Sequence, residues 1–143
     1  MAAPQSFKNH TKWDPMFHLV LCPITLIFSI ALIVHAFGHR TDANIHLAIL
    51  SVILLLTISK MRVYSLKVQD RVIRLEEKVR LAALCSPTQL TELESLTMRQ
   101  YIGLRFASNT ELPELAVRAV RENLTSKQIK EAVKSWRADD DRI

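Results

Sequence analysis

From Phe17 to Phe37 the sequence reads FHLVLCPITLIFSIALIVHAF, 21 residues without an Asp, Glu, Lys or Arg. As an α-helix rising about 1.5 Å per residue, this segment is roughly 31 Å long, the thickness of a bilayer's hydrocarbon core. Inside that core only a helix or a closed barrel satisfies every backbone polar group, so the segment commits the chain to a helical membrane fold. A second uncharged segment, Ala43 to Ser59 (ANIHLAILSVILLLTIS), follows at once. It is shorter, and it spans fully when Lys60 and Arg62 extend their stems to the headgroups. A cleavable signal peptide fits poorly: the first run exceeds a typical apolar core, no small-residue cleavage site follows, and a second span comes immediately. The expectation is a retained transmembrane helical hairpin.

The formal charge of +5 raises the question of nucleic acid, and its placement answers it. Residues 1–85 carry ten Lys/Arg against five Asp/Glu, whereas residues 86–143 carry nine against nine. The excess flanks the membrane, which marks topology and lipid contact and not a groove for nucleic acid. The connection GHRTD (Gly38 to Asp42) holds one Arg and one Asp, while Lys60, Arg62, Lys67, Arg71, Arg74, Lys78 and Arg80 follow the second span and Lys8 and Lys12 precede the first. By the positive-inside rule both termini face the cytoplasm, with Lys60, Arg62 and Lys67 at the lipid headgroups. Trp13, Phe17 and Tyr64 stand where interfacial aromatics are expected. Cys22 and Cys85 lie at different depths and form no C-x-x-C, so neither a disulfide nor a zinc site is indicated.

Local signals divide the chain into an N-terminal cytoplasmic segment (1–15), the hairpin (16–59), a cytoplasmic helical extension (60–85) and a C-terminal helical module (86–143). Pro23 should kink the first helix near its cytoplasmic side by depriving the carbonyl of Leu19 of its partner. His18, Cys22, Thr25 and Ser29 follow helical spacing and are expected to face the second span, with Ser51 and Thr57 answering them. Gly38 ends the first helix, Thr41 or Asp42 can cap the second, and no Gly or Pro then occurs until Pro87. One continuous helix from about Ala43 to about Leu84 follows. Beyond it, Ser86 with Gln89, Thr97 with Gln100, Ser108 with Glu111 and Thr125 with Gln128 have capping-box spacing, predicting a module of about four short helices. Pro113 favours a start for the third nearer Thr110. Ile129, Ala132, Val133 and Trp136 mark the buried side of the last. The fold class expected is thus an all-α membrane protein whose second spanning helix extends into the cytoplasm and carries a small helical module.

The chemistry-bearing candidates are few. Val68, Val72, Leu75, Val79 and Ala82 step by 4, 3, 4 and 3, a heptad seam with Val72 and Val79 at a, and with Arg71 and Glu76 at g and the following e. It lasts barely two heptads. Such a stripe can pack on the chain's own four helices, on a partner protein, or on a second copy. His35, His39 and His46 gather near the far side of the hairpin and could ligate a metal, haem or pigment, although Asp42 is the only nearby carboxylate to orient a ring. Only two glycines occur, Gly38 and Gly103, which excludes a phosphate-binding loop or dinucleotide fingerprint. No nucleophile with a base assembles, so no catalytic residue, enzyme activity or cofactor is expected. NHT at Asn9 and NLT at Asn123 match the glycosylation pattern but fall on the cytoplasmic side.

Four stretches, NHTKWDPMFH, LKVQDRVIRLEEKVRLAAL, IGLRFASNTELPEL and ENLTSKQIKEAVKSWRADDDR, together resemble a family of small bacterial two-span membrane proteins known only as a domain of unknown function. The likeness covers nearly the whole chain. It implies a bacterial inner-membrane setting and the two-span topology, and it implies no activity or functional residue. The leading expectation is a non-catalytic accessory subunit of a larger integral membrane complex, photosynthetic (reaction centre or antenna) in preference to respiratory. A self-associating adaptor that dimerises through the seam, and a pigment- or haem-binding subunit, are the alternatives.

Overall fold

The computed structural model describes residues 5–7, 9 and 14–139. Lys8, Lys12 and Trp13, placed above at the membrane surface, lie outside them. The described residues form six helices and no strand: α1 (Met16–Gly38), α2 (Asp42–Leu84), α3 (Pro87–Leu93), α4 (Met98–Leu104), α5 (Leu112–Arg121) and α6 (Ser126–Ala132). The first two are long and apolar enough to cross a membrane. The chain divides into two compact units, Trp13–Leu66 and, separately, Lys67–Ile143 with Met1–Lys12, so the boundary falls within α2.

In the unit Trp13–Leu66, α1 opens with a π-helical stretch, Met16–Leu21, and turns α-helical at Cys22. The Cys22 amide donates to the carbonyl of Phe17, five residues back. Where a kink was expected at Pro23, the structure has this π stretch, whose wider turn relieves the pressure of the proline ring on the turn before it. Asp14 caps the start, its carboxylate accepting from the Phe17 amide at 3.1 Å. Ser29 and Ser51 are both buried, and the Ser29 hydroxyl donates to the Ser51 carbonyl at 3.2 Å. Thr57 does not share in this contact. It is exposed and, like Thr25, donates to its own helix, to the carbonyls of Ile53 and Leu21 respectively. A hydroxyl in apolar surroundings is satisfied most directly by the carbonyl one turn back. Thr41 caps α2, its hydroxyl accepting from the Asn44 amide at 3.3 Å.

In the other unit, three of the four capping boxes form with both reciprocal bonds, at Ser86, Thr97 and Thr125. The fourth does not. α5 begins at Leu112 behind Glu111, with no side-chain cap and Pro113 in its first turn. Glu111 turns elsewhere: its carboxylate accepts from the amide of Ser108 at 3.2 Å and from those of Lys134 and Ser135 at 3.1 and 3.2 Å. Those bonds join the start of α5 to the chain leaving α6. Gln100 has a second task besides its box, its amide nitrogen donating to the carbonyls of Ala119 and Leu124 at 2.9 and 3.3 Å.

The core of this unit gathers Leu104, Leu112, Ala116, Ala119 and Ile129 from the short helices around Leu81 of α2. α4 and α6 meet at Gly103, where an added Cβ would stand 3.0 Å from two carbons of Ile129 and 3.2 Å from the Ser126 carbonyl. Gly103→Val should force the two helices apart and cost about 1–3 kcal/mol. Amide exchange of α6, measured against α1 in the same lipid-embedded sample, should accelerate. Unchanged α6 protection would mean the contact yields without cost.

Candidate functional site

The α2 segment beyond Leu66 has two apolar faces. Ile73, Glu77 and Leu81, four residues apart, are buried within their unit. At 100° per residue, the mean direction of Val68, Val72, Leu75, Val79 and Ala82 lies about 180° away. All five are exposed, Leu75 to 63% and Val79 to 71%. Of the three dispositions open to the heptad seam, packing on the chain's own short helices is therefore not the one adopted. The inner face does that work, with Glu77 on it paired to Arg137 of the C-terminal segment and to Arg80, which in turn reaches the loop after α4.

Glu77 is 2% exposed. The Arg80 guanidinium donates to both of its oxygens at 3.1 and 3.0 Å, and Arg137 stands 3.7 Å away. Arg80 also donates to the side-chain oxygen of Asn109 at 2.8 Å and to the carbonyl of Ala107 at 2.6 Å. Burial pushes the Glu77 carboxyl above its ordinary value, against the opposing pull of Arg80 and Arg137. Arg105 pairs with Asp139 at 3.2 Å, and the Asp139 amide donates to Gln5 at 2.8 Å. Beside these groups lies a cleft of about 710 Å³ whose lining includes Leu75, Val79, Arg105 and Arg137. Of its lining charges, Glu77 pairs with Arg80 and Arg137, and Asp139 with Arg105, while Glu76 is exposed, which leaves an amphipathic groove bordering the bare stripe.

The remaining candidates stand apart from this surface. Lys60 and Lys67 are exposed on α2. Arg62 pairs with Asp14 at 3.7 Å and lies over the Phe17 ring at 5.4 Å. His35, His39 and His46 are exposed, and the rings of the first two are 4.8 Å apart. Among the described residues no group of three His, Cys, Asp or Glu is arranged to hold a metal ion. Cys22 and Cys85 are free thiols, and burial raises the latter's pKa.

The sequence reading passed over Glu77 and gave Arg80 and Glu111 other roles, a topological charge and a capping-box partner of Ser108. The available signal was the i, i+4, i+8 run of Ile73, Glu77 and Leu81, in which the charge at the middle position conceals an inward-facing stripe.

A family model, that of a family of unknown function (DUF6526), matches residues 1–143. This agrees with the likeness carried by the four sequence stretches to a family without an assigned activity. No curated protein matches the chain, and no solved structure does.

Proposed function

We propose, for a chain that belongs along its whole length to the DUF6526 family of unknown function, a non-catalytic role as accessory subunit of a larger bacterial inner-membrane complex. α1 and α2 form a two-span hairpin with both termini in the cytoplasm, and α2 continues beyond the bilayer to carry the helical module. The most apolar windows of the two helices have mean hydropathies of 2.5 and 1.8, yet only 6% and 11% of them are buried within the chain. Surfaces of that kind call for an apolar medium, lipid or another membrane protein.

The observation that carries the reading is the bare stripe from Val68 to Ala82. A contiguous apolar face outside the bilayer, opposite a face already packed, is the mark of a contact surface. The host complex is proposed to be photosynthetic or respiratory. Mild-detergent native electrophoresis of host membranes, with mass spectrometry of the band holding this chain, tests the role. Comigration with a large complex at fixed stoichiometry is expected, and its pigments or redox centres name the class. Migration alone, in every detergent mild enough to preserve known complexes, would overturn it.

The stripe itself is tested by the double variant Val72→Asp/Leu75→Asp. Two carboxylates forced into an apolar contact should lower association at least about tenfold, the equivalent of about 1.4 kcal/mol. Both side chains are exposed within the chain, so the module's amide protection should not change. Undiminished association would remove the stripe from the contact.

A further inference from the structure

We infer that the bare stripe of α2 is a parallel homodimer seam, closed by a second copy of this chain in the same membrane. The inference rests on the membrane-anchored reading above and names a second copy as the occupant of the stripe, so that the chain enters the larger complex as a pair.

The stripe is self-complementary. Val72 and Val79 occupy a positions and Val68, Leu75 and Ala82 occupy d, and β-branched residues at a with Leu at d favour a two-stranded parallel pairing. Arg71 and Glu76, at g and the following e, are both exposed. In a parallel two-fold pair each Arg71 faces Glu76 of the second copy, giving two equivalent attractions. Antiparallel pairing in the register that overlaps the stripe, Val72 on Leu75 and Val68 on Val79, would set Arg71 against Lys78 of the second copy. Two copies inserted in one bilayer with one topology can meet only in the parallel sense, so the membrane excludes the arrangement that the charges disfavour.

Two heptads are too short to hold a dimer of free helices in water. Anchoring changes the balance, because copies confined to one bilayer already share orientation and meet at a high effective concentration. A short seam with one Leu therefore suits a membrane-tethered second copy better than a soluble partner, which would need a larger surface. The inner face of α2 is occupied by its own module, so dimerisation displaces nothing.

The test uses the full chain in phosphatidylethanolamine/phosphatidylglycerol vesicles, with Cys22→Ser and Cys85→Ser to remove the native thiols. Leu75→Cys should give a disulfide-linked dimer on mild oxidation, and Arg74→Cys, off the seam, should not. In the Leu75→Cys background, Arg71→Glu or Glu76→Arg alone should lower the yield by about threefold to tenfold, through two repelling pairs in place of two attracting ones. The double variant Arg71→Glu/Glu76→Arg should restore it, because each copy supplies both halves of the exchanged pair. A foreign partner could not be rescued in this way. Absence of the Leu75→Cys dimer, or a double variant as poor as either single one, overturns the inference. If that failure is accompanied by comigration with a large complex, the accessory role stands without the dimer; if the chain also migrates alone, both fall.

Discussion

Glu77→Ala should destabilise the junction of α2 with the module by about 3–5 kcal/mol, the usual consequence of removing one half of a buried ion pair. Arg80 would keep the side-chain oxygen of Asn109 and the carbonyl of Ala107 but lose its counter-charge, and Arg137 would lose the carboxylate 3.7 Å away. The amides of Ser108 and Arg137, bonded to the carbonyls of Ser135 and Phe106, are the reporters. Their exchange in the lipid-embedded chain should accelerate by about a hundredfold or more. Replacing the pair together, Glu77→Leu with Arg80→Leu, should recover part of the loss, since the desolvation of both charges is removed as well. An acceleration below about threefold for Glu77→Ala would show that the pair contributes little.

The same carboxyl gives the module a pH dependence of definite sign. Burial raises its pKa above the ordinary 4.5, so the folded state holds this proton more tightly than the unfolded chain does. The resulting stabilisation is complete below the ordinary value and is lost as pH rises through the folded one. Protection of Ser108 and Arg137, corrected for intrinsic exchange, should therefore fall across that window. In Glu77→Gln this component should be absent; an identical slope in wild type and variant would assign it to other groups.

Phe106→Ala should cost about 3–5 kcal/mol for the cavity left by a fully buried ring. Phe106 is 0% exposed, and its ring lies 4.8 Å from that of Trp136, with the Arg105 guanidinium 4.6 Å and the Lys130 ammonium 5.5 Å from its centroid. Losing the ring removes an aromatic contact and two cation–π contacts at once. In a Trp13→Phe background the emission of Trp136 should shift to the red and its thermal transition should fall. Phe106→Leu, which fills most of the volume, should lose less than half as much. Emission unchanged in Phe106→Ala would show that Trp136 is held by its other neighbours alone.

The parts of this molecule legible in its letters are those whose causes lie within a few residues. α2 runs unbroken from Asp42 to Leu84 because nothing between Gly38 and Pro87 interrupts it, and the boxes at Ser86, Thr97 and Thr125 start helices because donor and acceptor stand three positions apart. Ser108 and Glu111 have the same spacing and make no such cap. There the carboxylate is shared with the amides of Lys134 and Ser135, more than twenty positions along the chain. Gly103 reads only as one of two glycines until Ile129 is seen against it.

The heptad spacing of Val68 to Ala82 was equally plain, but not which side of α2 turns inward. A stripe of Ile73, Glu77 and Leu81 looks like the solvent side because of its charge. It is the inner side because Arg80, one turn on, and Arg137, sixty positions away, meet the carboxylate there. Periodicity and capping are short-range and survive in a line of residues. The burial of a charge is decided by groups that only the folded chain brings within reach, because even the partial offset of its desolvation needs them to arrive together.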